Sequence, residues 1–155
     1  MSIKKPRPQV LCLVSSSGGH YEQLRMLQAL ENKYNVFWVT EQTGYTVKAD
    51  YFMLQTGLTD KWFPLKMLRN FFRCVKIWLR EKPCAVITTG TMVALPFCLL
   101  AKLTRKKFIY IESFARVHDG TKAGKLMYKY ADLFIYQWES LREVYPKGVY
   151  GGSIY

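Results

Sequence analysis

The chain has 155 residues, with 23 lysine and arginine residues against 11 aspartate and glutamate residues, which gives a formal net charge of +12. Half of the residues are hydrophobic and 22% are charged, a balance that excludes an intrinsically disordered chain and suits one folded domain. The excess of positive charge favours an anionic partner, and nucleic acid, anionic lipid and a phosphorylated substrate all satisfy it.

Apolar runs of strand length alternate with helical patterns along most of the chain. Strands are predicted at Val10–Ser15, Asn35–Thr40, Ala85–Thr89, Phe108–Ile111 and Leu133–Tyr136, with a further short strand around Tyr51–Leu54. Helices are predicted at His20–Lys33, Leu65–Glu81, Met92–Leu103, Lys122–Tyr130 and Ser140–Tyr145, the last from a capping box of Ser140 and Glu143. The alternation predicts a single Rossmann-like α/β domain with a mainly parallel sheet over residues 10–155, preceded by a basic tail at residues 1–9.

The apolar runs are too short to cross a membrane. Val10–Val14 is shorter than a signal-peptide core, and the longest run, Met92–Ala101, is interrupted by Pro96. Any membrane contact is therefore expected to be peripheral.

The four cysteines show no CxxC spacing, and the chain has only two histidines. We therefore expect reduced cysteines in the core, no metal site and no cofactor.

The first predicted strand leads into the sequence SSSGGHYEQL, from Ser15 to Leu24. Gly18 and Gly19 let the backbone approach a bound group closely, and the start of the next helix favours an anion such as a phosphate or diphosphate. The stretch lacks both the Walker Gly-Lys-Ser/Thr ending and the full GxGxxG pattern, which argues against ATP or a nicotinamide cofactor. His20 fits either a capping or packing role or that of a general base.

A basic amphipathic segment follows at residues 62–81. At helical spacing its basic residues form one stripe, which consists of Lys66, Arg69, Arg73, Lys76 and Arg80. Its apolar residues form two further rows, so the apolar arc covers about half of the helix circumference. One interpretation is a core helix with a solvated basic face; the other is an interfacial helix that binds anionic lipid. The membrane-binding residues in the second interpretation are Trp62, Phe63, Lys66, Arg69, Phe72, Arg73, Lys76 and Arg80.

Two later loops, TTGT at Thr88–Thr91 and IESFARVHDG at Ile111–Gly120, also follow predicted strands. Ligands of open α/β sheets bind at the carboxyl ends of strands. These two loops and the turn at Ser15–His20, which we call the glycine-histidine turn, are therefore expected to form one site. Glu112 directly follows an apolar strand and is hard to explain structurally. Arg116 fits a phosphate ligand or a surface ion pair equally well.

Five motifs occur in order between about Val10 and Gly152: LVSSSGGHYEQL, VITTGTMVALP, IYIESFARV, ADLFIYQWESL and YPKGVYGG. Together they resemble the small bacterial capsule and exopolysaccharide glycosyltransferase subunits related to the membrane-recruiting subunit of the eukaryotic dolichol-pathway N-acetylglucosaminyltransferase. Such proteins are similar to the N-terminal half of a GT-B glycosyltransferase of the lipid II type. The resemblance implies that this half faces the membrane and holds a polyprenyl-diphosphate acceptor, while a separate partner protein carries the UDP-sugar site.

The resemblance also implies roles for individual residues. His20 is the candidate base, and Glu112 is a candidate catalytic carboxylate that orients the sugar or His20. The implied diphosphate-binding residues are Ser17, Gly18, Gly19, His20, Gly90 and Arg116. The C-terminal residues are either a frayed tail or a partner-binding segment, the residues concerned being Val149, Tyr150, Ile154 and Tyr155.

The expected function is that of a non-autonomous subunit, inactive alone, of a UDP-sugar-dependent glycosyltransferase. It would act on an undecaprenyl-diphosphate-linked sugar in capsule or exopolysaccharide assembly, at the cytoplasmic face of the cell membrane. A purely anchoring subunit without a catalytic residue is the alternative. Nucleic-acid binding is disfavoured because the chain carries no recognised nucleic-acid-binding motif.

Overall fold

The computed structural model describes residues 9–44, 47–57 and 59–155. Its strands are β1 (Val10–Ser15), β2 (Asn35–Glu41), β3 (Tyr51–Met53), β4 (Ala85–Gly90), β5 (Lys107–Ile111), β6 (Leu133–Tyr136) and β7 (Val149–Tyr150). Its α-helices are α1 (Gly19–Arg25), α2 (Phe63–Glu81), α3 (Leu95–Leu103) and α4 (Lys122–Tyr128). Short 3₁₀ helices lie at Gln28–Asn32, Met92–Ala94 and Glu139–Leu141.

The strands form one parallel sheet in the order β3-β2-β1-β4-β5-β6-β7. The chain runs outward from β1 through β2 to β3, then crosses back to place β4 on the other side of β1. The direction of winding therefore reverses between β1 and β4. A parallel sheet binds its ligands at such a switch point, beyond the carboxyl ends of the two strands.

Each face of the sheet packs a separate apolar cluster. One face, which we call the α2 face, is covered by α2, α3 and α4 through residues such as Cys74, Phe97 and Met127. The opposite face, which we call the α1 face, packs Tyr21 and Leu24 of α1 against the strands. Because side chains alternate along a strand, successive residues of the inner strands serve opposite clusters, and both faces are apolar.

The predicted parallel α/β fold is confirmed, and the strand predictions at Val10–Ser15 and Leu133–Tyr136 match in full. β7 lies in the C-terminal segment, where no strand is predicted. The basic tail at residues 1–9 lies outside the described residues except for Gln9.

Two of the predicted helices begin or end differently. The helix predicted at His20–Lys33 ends at Arg25 and gives way to a 3₁₀ helix, whose three-residue turn lets Leu27 and Leu30 both pack on the α1 face. The helix predicted at Met92–Leu103 starts with a 3₁₀ turn, and its α-helical part begins with Pro96 in the first turn.

The prediction of an α-helix at Ser140–Tyr145 with a capping box is wrong. The structure has only a 3₁₀ turn there, at Glu139–Leu141. The hydroxyl of Ser140 donates to the carbonyl oxygen of Val117 instead of capping a helix. A tertiary hydrogen bond has therefore taken the side chain that the local pattern assigned to a cap.

Candidate functional site

The loops after β1 and β4 meet at the switch point and form the centre of the candidate site. Ser15 lies beside Gly90 in the register of the two strands, and the Ser16 N–H donates to the Gly90 carbonyl oxygen at 2.9 Å. The Gly90 N–H in turn donates to Oγ1 of Thr88 at 2.9 Å. These bonds fix the start of the glycine-histidine turn, Ser15–His20, against the TTGT loop.

His20 is held to β4 by two reciprocal hydrogen bonds. Its Nδ1 lies 2.7 Å from the Thr89 carbonyl oxygen, and the Thr89 hydroxyl donates to the His20 carbonyl oxygen at 2.6 Å. Because a carbonyl oxygen only accepts, Nδ1 must carry a proton, and Nε2 is the nitrogen left to react. The ring is half-buried. This is the orientation that a general base requires, and Thr89 is the residue that imposes it.

The glycines of the site serve two different purposes. Gly18 has φ of 75° and open space where a side chain would stand, so it supplies backbone conformation and leaves room above the turn. Gly90 has φ of 102°, and a Cβ there would lie 2.9 Å from the Tyr110 hydroxyl and 3.5 Å from the His20 ring. Gly90 is therefore required for both conformation and space. Gly19 is likewise exposed with open space around it, and Ser17 is half-buried.

Glu112 is fully buried on the α2 face, within a closed hydrogen-bond network. Its carboxylate accepts from the Ser113 N–H at 2.8 Å, from the Thr121 N–H and hydroxyl at 3.1 and 3.0 Å, and from the Tyr145 hydroxyl. Burial, followed by the hydrogen bond to Glu112, raises the pKa of Tyr145, so the phenol keeps the proton that it donates. The packing is tight, because a Cβ on Gly124 would lie 2.2 Å from the carboxylate.

This geometry corrects the interpretation of Glu112 as a residue that orients His20. The ring of His20 is bonded to Thr89, and the donors around the Glu112 carboxylate are Ser113, Thr121 and Tyr145. The carboxylate instead organises the loop at Ile111–Gly120 and the start of α4, where Thr121 caps the helix by accepting from the Gly124 N–H. An apolar strand can end in a carboxylate for this structural reason.

Gln23 joins the glycine-histidine turn to the third loop and was missed by the sequence reasoning. It is buried on α1; its Nε2 donates to the Glu112 carbonyl oxygen at 3.2 Å, and its Oε1 accepts from the Phe114 N–H at 3.1 Å. Both ends of the amide are thus used between two loops of the site. The signal that the sequence offers for Gln23 is its position directly before the apolar Leu24 in the motif LVSSSGGHYEQL.

Arg116 lies in the exposed part of the third loop. Its guanidinium pairs with Asp119 at 3.2 Å, and both side chains are about half exposed or more. Of the two roles predicted for Arg116, the structure thus contains the surface ion pair. An exposed pair of this kind contributes little to stability and leaves the guanidinium able to change partners.

The sheet-packing row of α2 consists of Asn70, Cys74, Ile77 and Trp78, which are buried. The apolar arc extends beyond this row: Phe72 is 59% exposed and Leu79 is 67% exposed, and Leu65 and Leu68 are also exposed. Trp62, just before the helix, is exposed as well, while Phe63 is half-buried. The basic stripe lies beside this exposed row, its members being Lys66, Arg69, Arg73, Lys76 and Arg80.

Within the described ranges, no helix has both the length and the apolar character needed to cross a membrane. A helix that packs one row on the core while exposing a second apolar row beside a basic stripe has the pattern of an interfacial helix.

The C-terminal segment is attached to the domain rather than frayed. β7 pairs with β6 at the edge of the sheet, and its two residues, Val149 and Tyr150, are about half exposed. Beyond it, the Ile154 N–H donates to Oε1 of Gln137 at 2.9 Å, and the Tyr155 ring packs edge-on against Phe114.

The domain is similar to one part of several larger solved enzymes. It aligns with MurG of Acinetobacter baumannii at a TM-score of 0.68 and 18% identity, covering 84% of this chain and 41% of MurG. It aligns with UDP-N-acetylglucosamine 2-epimerase of Rickettsia bellii at a TM-score of 0.72 and 15% identity, covering 96% of this chain and 46% of the epimerase. The chain thus spans less than half of each of these enzymes. At these identities the likeness shows the fold alone, and it confirms the predicted domain of the GT-B type.

Sequence comparison is more specific. The human UDP-N-acetylglucosamine transferase subunit ALG14 is 32% identical, over 93% of this chain and 82% of the human protein. The mouse protein of the same name is 43% identical, over 93% of this chain and 82% of the mouse protein. Residues 61–154 match the family described as "Oligosaccharide biosynthesis protein Alg14 like". The chain therefore belongs to the Alg14 family, whose named relatives are subunits of a UDP-N-acetylglucosamine transferase.

Proposed function

We propose that this chain is the acceptor-binding, membrane-associated subunit of a two-component glycosyltransferase that assembles capsule or exopolysaccharide repeat units. The acceptor is a sugar linked to undecaprenyl diphosphate, and a separate subunit carries the UDP-sugar site. Family membership supports the subunit role. A UDP-sugar site on another subunit fits the printed names of the relatives, which are subunits of a UDP-N-acetylglucosamine transferase.

The observation that carries the proposal is the placement of His20 at the switch point, with Nδ1 committed to Thr89. Nε2 is then the atom that removes the proton from the acceptor hydroxyl as the sugar is transferred. The open glycine turn beside it, Ser17–Gly19, supplies the position for the acceptor diphosphate, and the exposed guanidinium of Arg116 is the proposed counter-charge.

The test of this role uses the purified chain, with and without a candidate partner subunit that carries the UDP-sugar site, in liposomes that contain the polyprenyl-diphosphate acceptor and UDP-N-acetylglucosamine. We expect no transfer from the chain alone and transfer from the pair. Robust transfer by the chain alone would overturn the two-component proposal.

His20→Ala in the active pair separates catalysis from anchoring. A general base contributes about 100-fold or more to the rate, so we expect at least that loss while the partner still co-purifies. A purely anchoring subunit would keep both the rate and the partner.

The membrane role rests on the exposed rows of α2. Each basic residue near an anionic surface contributes about 1 kcal/mol, so removing Arg69 and Arg73 should weaken binding to phosphatidylglycerol vesicles about 30-fold. The double variant Arg69→Gln and Arg73→Gln is compared in a flotation assay with Lys122→Gln and Lys125→Gln on α4. Equal loss in both double variants would indicate a general charge effect, and no loss in either would exclude the α2 surface.

A gel shift with DNA or RNA tests whether the chain binds nucleic acid. A salt-sensitive shift without vesicle binding would overturn the membrane role.

The partner-binding role of the C-terminal segment is tested by co-purification. Val149→Ser and Tyr150→Ser change two half-exposed side chains at the edge of the sheet, so we expect the chain to fold and to lose its partner. Leu126→Ser, on the exposed side of α4, is the matched control. Retention of the partner by the β7 variant would refute this assignment.

A further inference from the structure

The backbone carbonyl oxygen of Glu112, directly after β5, accepts hydrogen bonds from two buried glutamines. Nε2 of Gln23, on α1, donates to this oxygen at 3.2 Å, and Nε2 of Gln137, directly after β6, donates to it at 2.8 Å. The two side chains are only 2% and 3% exposed. Both lone pairs of one carbonyl are thus used by side chains from different parts of the fold.

Each of these amides is fixed at its other end by a backbone N–H group. Oε1 of Gln23 accepts from the Phe114 N–H at 3.1 Å, and Oε1 of Gln137 accepts from the Ile154 N–H at 2.9 Å. Because one end of each amide must donate and the other must accept, these backbone partners allow each side chain a single orientation. We call the resulting chain of hydrogen bonds, from Ile154 through the two glutamines to α1, the amide bridge.

An aromatic cluster lies beside the amide bridge and joins the same two segments. The centroid of the Phe114 ring lies 5.3 Å from that of Tyr155 and 4.9 Å from that of Trp138. The Trp138 indole N–H donates to the Phe114 carbonyl oxygen at 2.7 Å. The C-terminal segment therefore contacts the loop at Ile111–Gly120 through a ring as well as through hydrogen bonds.

The other end of the amide bridge reaches the candidate base. Gln23 and His20 are three residues apart on α1, so the two side chains leave the helix on the same side. Nδ1 of His20 lies 2.7 Å from the Thr89 carbonyl oxygen, and this contact depends on where α1 lies relative to β4. A displacement of Gln23 therefore displaces the His20 ring relative to Thr89.

We propose that Gln23 and Gln137 are positioning residues of the acceptor site, which transmit the position of the C-terminal segment to α1 and to the glycine-histidine turn. The inference rests on the proposed function, because it assigns the amide bridge to the turn that binds the acceptor diphosphate. Neither glutamine takes part in proton transfer, since each acts through the Glu112 carbonyl and α1. The C-terminal segment, for which partner binding is proposed above, then also contributes to acceptor binding.

The first test removes the hydrogen bond at the far end of the amide bridge. Ile154→Pro removes the N–H that Gln137 accepts, whereas Ile154→Ala keeps this N–H and loses more apolar atoms, which makes it the matched control. Binding of farnesyl diphosphate to the full chain is measured by titration calorimetry. We expect Ile154→Pro to weaken binding about threefold, because part of the energy of one hydrogen bond reaches the turn, and Ile154→Ala to bind like wild type.

The second test follows the His20 ring itself. The chain has two histidines, so the imidazole nitrogen signals of His20 are assigned in NMR spectra by comparison with His118→Gln. At pH 8 an ordinary imidazole is neutral, and the contact with Thr89 holds the proton on Nδ1. We expect Ile154→Pro to shift the His20 signals towards the mixture of tautomers of a free imidazole, and Ile154→Ala to keep the wild-type signals.

A third variant breaks the amide bridge in the middle. Gln137→Met keeps the length of the side chain and removes both of its hydrogen bonds, so we expect it to weaken binding of farnesyl diphosphate about fivefold. If Gln137→Met does not fold, the comparison of Ile154→Pro with Ile154→Ala decides, since these changes lie beyond β7 in the C-terminal segment.

The outcomes separate this inference from the proposed function. Failure of the wild-type chain to bind farnesyl diphosphate would overturn the acceptor site, and the His20 signals would then decide whether the amide bridge positions α1. Wild-type binding that Ile154→Pro leaves unchanged would overturn the positioning role and leave the acceptor site standing. Equal weakening by Ile154→Pro and Ile154→Ala would also overturn it, because packing of the side chain would then explain the loss.

Discussion

Replacement of Gly90 by alanine tests whether the site depends on the close packing of β4 against β5. The added Cβ would stand 2.9 Å from the Tyr110 hydroxyl, closer than a methyl carbon and an oxygen normally approach. The backbone must also keep φ at 102°, where an L-residue is strained by about 1–2 kcal/mol. Overpacking adds about 1–3 kcal/mol, so we expect Gly90→Ala to lower the free energy of unfolding by about 2–5 kcal/mol.

Tyr110→Phe isolates the steric part of this cost, since it removes only the atom that the new methyl group meets. Alone it loses the hydrogen bond to Thr121, at a cost of about 1 kcal/mol. In the double variant, Gly90→Ala should retain its backbone strain but lose the clash, which gives a coupling of about 1–2 kcal/mol.

The assay is urea unfolding of the four proteins, followed by circular dichroism. Additivity within about 0.5 kcal/mol would refute the proposed contact, and a cost below about 1 kcal/mol for Gly90→Ala alone would refute both parts of the reasoning.

Three further predictions concern buried groups. Glu112→Ala leaves the hydroxyls of Tyr145 and Thr121 and the N–H groups of Ser113 and Thr121 without their acceptor, so urea unfolding should show a loss of more than about 3 kcal/mol, and a smaller loss for Glu112→Gln. Burial raises the pKa of Glu41, the last residue of β2, so its contribution to the free energy of unfolding is present below about pH 4 and is lost as the pH rises through the folded-state pKa; thermal melts across pH should show this loss in wild type and not in Glu41→Gln. Burial raises the pKa of Cys98 to about 12, so native-state alkylation followed by mass spectrometry should label the partly exposed Cys84 first, and equal labelling would contradict the packing.

The central architecture could be predicted from sequence because the strands that pair around the switch point are buried on both faces. Such strands read as continuous apolar runs, as in Val10–Val14, and need no knowledge of their neighbours. The edges could not be predicted in the same way. β7 has two half-exposed residues and becomes a strand only by pairing with β6.

The candidate site shows the same division between local and tertiary signals. Gly18, Gly90 and His20 stand out in sequence because turns and helix starts favour particular residue types. Thr89 and Gln23 do not, because their roles follow from which strands and loops become neighbours. Glu112 was recognised as unusual, but its partners, Thr121 and Tyr145, lie 9 and 33 residues further along the chain. Local pattern therefore could not distinguish a structural carboxylate from a catalytic one.

The bond from His20 to the Thr89 carbonyl oxygen also bears on how little the site must rearrange during the proposed reaction. When Nε2 takes a proton, the ring becomes a cation, and the carbonyl dipole already aimed at Nδ1 is oriented to stabilise that new charge. Because Thr89 belongs to a central strand of the sheet, the dipole is fixed before the acceptor arrives. The energy of orienting the carbonyl dipole is then supplied during folding rather than in each catalytic cycle. The imidazole ring need not flip between proton uptake and proton release.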